Sequence, residues 1–183
     1  MTFSIVARCT TTGAIGAATA TAGPAVGALV LHGASLAGAI ATQAMTNPVA
    51  GLKATQWLQQ GINARACLQM MLDEDEGRDL RQWIVIDSQG QSVDWTGGCC
   101  LPWCGSLSEE NLAIAGNMLA GEQVIQAMRH RYRQHSGCEL ADRLLLAMQA
   151  GAEAGGDYRG IGSAALKVWN KRQYADIEAL LQS

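Results

Sequence analysis

Apolar and polar residues partly alternate through Thr2-Phe3-Ser4-Ile5-Val6-Ala7, a β-branched stretch that predicts a strand beginning at the very N-terminus. Thr10-Thr11-Thr12-Gly13 reads as a turn, and residues 14–21 as the return strand of a hairpin. Its small side chains let another layer approach closely. Gly23-Pro24 breaks that strand, and a further strand is expected over residues 36–42. The period then changes. Asn47-Pro48 supplies a capping residue and a first-turn proline, and Leu52, Gln56 and Trp57 follow before Gly61 closes the helix. A second helix starts from an Asn63 cap and turns Cys67, Leu68, Met71 and Leu72 inward. Residues 83–87 and 92–96 flank Ser88-Gln89-Gly90-Gln91, the clearest hairpin signal in the chain. Two long helices come next, one with Val124, Met128 and Tyr132 on a face, the other with Leu140, Leu144 and Met148. Residues 163–169 read as a last strand and residues 174–181 as a short closing helix. Strands and helices in this order predict an α+β layered fold over residues 1–183 as one domain, rather than alternating βαβ units.

Charge narrows the function classes. Thirteen Lys plus Arg against sixteen Asp plus Glu give a net charge of −3 and a pI near 5.5. A nucleic-acid binder needs a basic footprint to release phosphate counterions, and none is present; Arg129, Arg131 and Arg133 read as a solvated helix face. Hydrophobic residues make up 49% of the chain and charged residues 16%, so there is ample apolar side chain to bury. The 44 residues between Arg8 and Lys53 carry no Asp, Glu, Lys or Arg. They are mostly Ala, Gly and Thr, broken by Gly23-Pro24, His32 and Gln43, a composition that inserts weakly into a bilayer. The apolar Phe3-Ser4-Ile5-Val6 precedes Arg8, the reverse of a secretory signal. The expectation is a cytoplasmic protein with no membrane and no nucleic-acid partner. Its low-charge first quarter predicts a covered surface, and hence a homodimer.

Six cysteines include the cluster Cys99-Cys100-Leu101-Pro102-Trp103-Cys104. Zinc would need a fourth ligand, and no second knuckle or HExxH pattern supplies one, so free thiols with no metal and no cofactor are expected. Gly160-Ile161-Gly162-Ser163-Ala164-Ala165 spells GxGxxA but lacks the preceding strand and following helix of a dinucleotide site. Gly33-Ala34-Ser35-Leu36-Ala37 lacks the second glycine of a nucleophile elbow. The remaining chemistry lies at the N-terminus. Met1 precedes Thr2, a residue small enough for methionine removal to be common. A strand starting at Thr2 would then put a hydroxyl and a free α-amine together at a sheet end. The amine, with an unperturbed pKa of about 7.7–8.0, can act as the base that activates the hydroxyl.

Several segments in order resemble one family. Met1-Thr2-Phe3-Ser4-Ile5-Val6-Ala7-Arg8, Val26-Gly27-Ala28-Leu29-Val30, Ala41-Thr42-Gln43-Ala44 and Asn47-Pro48 are similar to the opening of domain-of-unknown-function family 1028, which is placed in the Ntn-hydrolase superfamily. Arg81-Gln82, Thr96-Gly97, Pro102-Trp103 and Gly116-Asn117-Met118-Leu119 follow in order. The most specific segment is Ala154-Gly155-Gly156-Asp157-Tyr158-Arg159-Gly160, with Ser163-Ala164-Ala165-Leu166 behind it. The resemblance runs to about residue 169, and residues 167–183 form an abbreviated end compared with the family's longer tail. It implies a four-layer αββα sandwich and, by superfamily analogy, amide-bond hydrolysis of a small-molecule substrate.

Within that frame Thr2 is the candidate nucleophile and Asn117, flanked by Gly116, the candidate oxyanion donor. Asp157 and Arg159 sit in the Gly-rich loop, where Arg159 can clamp a carboxylate and Asp157 hold an ammonium or orient the Thr2 amine. Gln43 and Asn47 are candidates to line the same site, and Trp103 reads as core. The competing class is a non-catalytic Ntn-fold protein that binds a small ligand or serves as a partner subunit, which would follow if Met1 stays in place.

Overall fold

The computed structural model describes residues 2–157 and 159–182. The expected removal of Met1, and Tyr158 of the Gly-rich segment, lie outside the described residues. β1 (Thr2–Arg8) turns through Cys9–Gly13 into β2 (Ile15–Thr21), in register from Thr2↔Thr21 to Arg8↔Ile15. A single helical turn, α1 (Val26–Leu29), leads to β3 (Leu31–Ala34) and β4 (Gly38–Ala44). α2 (Pro48–Gln59) starts where expected, with the Asn47 side chain accepting from the Ala50 N–H. α3 (Ala64–Glu74) is capped in the same way by Asn63, which accepts from Ala66 N–H. β5 (Arg81–Asp87) and β6 (Ser92–Thr96) form the expected hairpin. Then come β7 (Gly105–Glu109), β8 (Leu112–Asn117), α4 (Gln123–Gln134), α5 (Leu140–Glu153), β9 (Ser163–Trp169) and β10 (Ile177–Gln182).

All pairing is antiparallel. One sheet has the order β10-β9-β2-β1-β8-β7 and the other β3-β4-β5-β6. Three apolar clusters hold the layers together. Phe3, Ile5, Leu112 and Ile114 on the six-stranded sheet pack against Val124, Met128, Leu144 and Met148 of α4 and α5. Val6, Ile15, Ala17, Ala39, Ile84 and Ile86 fill the space between the two sheets. Ile40, Trp83 and Val85 pack against Ala54, Leu58, Cys67 and Met71 of α2 and α3. Each large side chain buried in this way stabilises the fold by about 1.5–3 kcal/mol. The chain is thus a mixed α and β structure in which two antiparallel sheets face each other and a helix pair covers each outer face. Among the described residues no helix is long and apolar enough to cross a membrane.

Four strands differ from expectation. Residues 174–181 were expected as a helix, but Ile177–Gln182 is β10, paired to β9 from Ile177↔Val168 to Gln182↔Ser163. The helix propensity of Glu-Ala-Leu-Leu is worth only tenths of a kcal/mol per residue, and the ladder offered by the open edge of β9 overrides it. β7 and β8 form a hairpin in a stretch for which no strands were expected, and β3 is a four-residue strand before β4.

Candidate functional site

The layer between the sheets has two unlike ends. On β1, Thr2 and Ser4 are in phase with Val6; on β8, Asn117 is in phase with Ala113 and Ala115. On β4, Gln43 is in phase with Ala39 and Ala41, and on β5, Gln82 with Ile84 and Ile86. The polar members fall together, where β1 begins and β8 ends. Ser4, Thr19, Gln43, Gln82 and Asn117 are all buried there, so each needs a hydrogen-bond partner inside the protein.

Gln82 supplies most of those partners. Its Nε2 donates to the carbonyl oxygens of Gly116 (2.9 Å) and Gly105 (3.1 Å) and to Thr96 Oγ1 (2.9 Å). Carbonyl oxygens only accept, so the amide must turn its nitrogen toward them and its Oε1 toward Gln43 and Asn117. Gln43 Nε2 donates to that oxygen at 2.7 Å and Asn117 Nδ2 at 3.1 Å. Gln43 Oε1 in turn accepts from Ser4 Oγ at 2.5 Å, and Ser4 Oγ lies 2.8 Å from Thr19 Oγ1. Backbone geometry therefore sets the orientation of all three amides, and the side-chain amide of Asn117 faces inward as a donor.

Thr2 lies beside that donor. The register places Thr2 opposite Asn117 on β8 and opposite Thr21 on β2. Directly opposed residues in an antiparallel pair hold their Cβ atoms about 4.5–5.5 Å apart on one face. Thr21, Thr2 and Asn117 thus form a row across the sheet. Thr2 Oγ1 lies 3.4 Å from Thr21 Oγ1, and Asn117 Nδ2 has a second N–H beyond the one engaged by Gln82.

A cavity of about 220 Å³ opens next to Asn117. Its wall is largely apolar, formed by Met45, Leu80, Leu101 and Met118 with Cys99 and Cys100. Ala44 and Met118, each following a residue of the amide network, take left-handed φ angles of 67° and 55°. Such conformations are uncommon for non-glycine residues and turn the chain out of β4 and β8 along the cavity rim. The cysteine segment lies against the Arg78–Leu80 turn: Cys99 N–H donates to Asp79 O, and a Cβ on Gly97 would come within 2.3 Å of that same oxygen. Only glycine allows this approach. Burial pushes the Cys100 thiol above its usual pKa, and the neighbouring Cys104 and Cys99 add to the rise. Among the described residues no group of three or more His, Cys, Asp or Glu side chains is placed to hold a metal ion.

The other candidates take different positions. Asp157 is buried and accepts from Ala22 N–H (2.9 Å) and Arg159 N–H (2.7 Å), and it pairs with the Arg159 guanidinium at 3.3 Å. It forms an isolated bridge with Leu119, so it ties the Gly-rich loop to the chain just beyond Thr21 and just beyond Asn117. Asn47 does not join the network. Its side chain caps α2 and donates to Asp75 Oδ2 at 2.9 Å, and Asp75 pairs with Arg81 at 3.0 Å. Asn117 is the last residue of β8. Trp103 packs against the cluster under α4 and α5, as expected of core. Gln82, Ser4 and Thr19 were not singled out from the sequence. Their signal is a polar residue standing in phase with apolar neighbours, as Gln82 does before Ile84 and Ile86.

The family model for a family of unknown function, DUF1028, matches residues 2–180. The crystal structure of protein SPO2555 from Silicibacter pomeroyi, itself assigned to that family model, superposes with a TM-score of 0.89 at 31% identity. The match covers 99% of this chain and 81% of that one. Anbu (ancestral beta-subunit) from Yersinia bercovieri aligns over 99% of this chain and 87% of its own at 12% identity, with a TM-score of 0.43. No curated protein matches the chain. With its family model matched over nearly the whole length and a solved relative of the same fold, the chain belongs to the DUF1028 family.

Proposed function

We propose that this protein is an N-terminal-nucleophile amidohydrolase of the Ntn type, acting on a small amide or amino-acid derivative, with Thr2 as nucleophile once Met1 is removed. The observation that carries the reading is the row formed by Thr2 and Asn117 at the buried, hydrogen-bonded end of the inter-sheet layer, beside a cavity. The layering of two facing sheets between helix pairs is the arrangement expected of such a sandwich. In the reaction the Thr2 amine takes the hydroxyl proton as Oγ1 attacks the substrate carbonyl carbon. Negative charge then develops on the carbonyl oxygen, where the second N–H of Asn117 stabilises it; one such donor is typically worth 10²–10³ in rate. The C–N bond breaks, the leaving amine takes the proton from the Thr2 ammonium, and an ester on Thr2 remains. Water, deprotonated by the same amine, hydrolyses that ester and releases the acid. Gln82 and Gln43 act on the reaction only through the orientation of Asn117, and Asp157 with Arg159 anchors the loop at that end of the sheet.

Two measurements test the proposal. The intact mass of natively produced protein should lack Met1, and purified Met1-free protein should turn over members of a panel of small amides and N-acyl amino acids. Thr2→Ala should abolish that turnover and keep the fold. Met1 retained throughout, with a ligand bound but not hydrolysed, would instead favour the binding or partner-subunit alternative. We also propose a homodimer: β10 is an open sheet edge on which Leu180 and Leu181 are exposed. Light scattering that gives a strict monomer across micromolar concentrations would refute it.

A further inference from the structure

We infer that the cavity beside Asn117 receives an uncharged, apolar substituent of the substrate amide, about the size of a phenyl ring. This rests on the hydrolase reading for its chemistry and on the cavity wall for its substance. Size comes first. A cavity of 150 Å³ lined by aliphatic and aromatic side chains holds benzene, and this one measures about 220 Å³. A methyl group alone would leave most of it empty.

The wall decides the polarity. Met45, Leu80, Leu101 and Met118 present no charge. The Cys100 thiol facing the cavity carries none at neutral pH either, because burial holds it in its protonated form. The ion pair behind Met45 is already closed on itself, with Arg81 bound to Asp75 and to the Met45 carbonyl oxygen. A carboxylate or ammonium entering the cavity would lose water and find no partner of opposite sign among the described residues of the wall. An apolar ring loses nothing of that kind, and the two thioethers adapt to its shape and make favourable sulfur–ring contacts. Among the described residues the only strongly polar side chain on the wall is Asn117, so a substituent seated there leaves its carbonyl next to the proposed oxyanion donor and Thr2. Either side of the amide bond can bring the ring, and the test separates the two.

The test compares four amides on Met1-free protein: phenylacetamide (ring on the acyl side), N-benzylacetamide (ring on the amine side), acetamide and succinamate. One of the two ring-bearing amides should exceed acetamide in kcat/KM by about 100-fold or more, the range reached when an apolar pocket is filled. Succinamate should be no better than acetamide. Leu101→Trp, at a position 60% exposed and therefore tolerant, should abolish the preference by filling the cavity. A succinamate preference, or an unchanged ring preference in Leu101→Trp, overturns the cavity assignment and leaves Thr2 catalysis standing. If no amide turns over, binding decides. In Thr2→Ala protein, shifts of the Met45 and Met118 methyl signals on adding phenylacetamide but not succinamate, lost in Leu101→Trp, uphold the cavity assignment while the hydrolase reading falls. Absence of those shifts overturns the assignment.

Discussion

Replacing Gln82 by leucine removes the amide that joins the two sheets while keeping nearly the same volume. The structure shows what is left behind. Gln43 Nε2 and Asn117 Nδ2 lose their acceptor, and the Gly116 carbonyl, buried like both of them, loses its donor. Gly105 O and Thr96 Oγ1 are less buried, and Thr96 keeps Ser106 Oγ at 3.0 Å, so they contribute less. The two Nε2 protons can serve only two of the three acceptors at once, which caps the count. Three buried groups left unpaired at about 1–3 kcal/mol each give an expected loss of about 3–9 kcal/mol. In a protein of this size that lowers Tm by roughly 2–4 °C per kcal/mol. Urea denaturation measures it directly: the midpoint falls while the slope with denaturant stays the same. The companion variant Gln43→Leu removes one of the orphaned donors, so the double variant should cost less than the sum by about 1–2 kcal/mol. A loss below about 1 kcal/mol for Gln82→Leu, or strict additivity with Gln43→Leu, would show that water reaches these groups and that the network does not orient Asn117.

Three further outcomes follow from the same geometry. Asp157→Ala strands the backbone N–H groups of Ala22 and Arg159 and should cost about 2–3 kcal/mol in thermal unfolding, whereas Arg159→Ala, at a side chain 43% exposed, should cost under about 1 kcal/mol; equal losses would refute the tether. Burial alone would raise the Asp75 pKa, but hydrogen bonds from Asn47, Arg81 and the Gly77 N–H, with the Arg81 charge, hold it below 3.8. Its ionised form therefore stabilises the fold in full above about pH 4, and that contribution fades as pH falls through the lower folded value. Asp75→Asn should flatten this acid limb of the stability curve, and an unchanged limb would refute the assignment. Leu36 is exposed with a left-handed φ of 60°, so Leu36→Gly should stabilise by up to about 1 kcal/mol, read as a higher Tm, where a helix-interior glycine would destabilise.

Periodicity revealed the outer faces of the fold better than its interior. Asn47 and Asn63 announced α2 and α3 because a capping side chain is a local event, readable three residues ahead. The β5–β6 hairpin showed itself through two β-branched and aromatic runs about a short polar turn. β7 and β8 stayed hidden because Ser, Ala and Gly carry little strand propensity, and what makes them strands is the neighbouring ladder of β1. β10 misled for the opposite reason, since its local preference is helical and only β9 overrules it. At the site, Thr2 and Asn117 were named from the start, while their adjacency depends on a pairing between residues far apart in sequence. The capping role of Asn47 was not separable from a ligand-binding one, because the two kinds of asparagine look alike in sequence.

A layer that is greasy at one end and hydrogen-bonded at the other tolerates change unequally. Val6, Ile15, Ile84 and Ile86 meet through shape alone, and volume-conserving exchanges among them cost under about 1.5 kcal/mol. Gln43, Gln82 and Asn117 meet through direction, and no other side chain offers a donor and an acceptor at the same reach: asparagine is too short for Gln82, and glutamate has no donor for the Gly116 carbonyl. Random drift is therefore free to repaint one half of the interior and is barred from the other. In a library that randomises both halves together, survivors should be diverse around Ile84 and nearly monotonous around Gln82, so the protein would record its own chemistry in what it refuses to change.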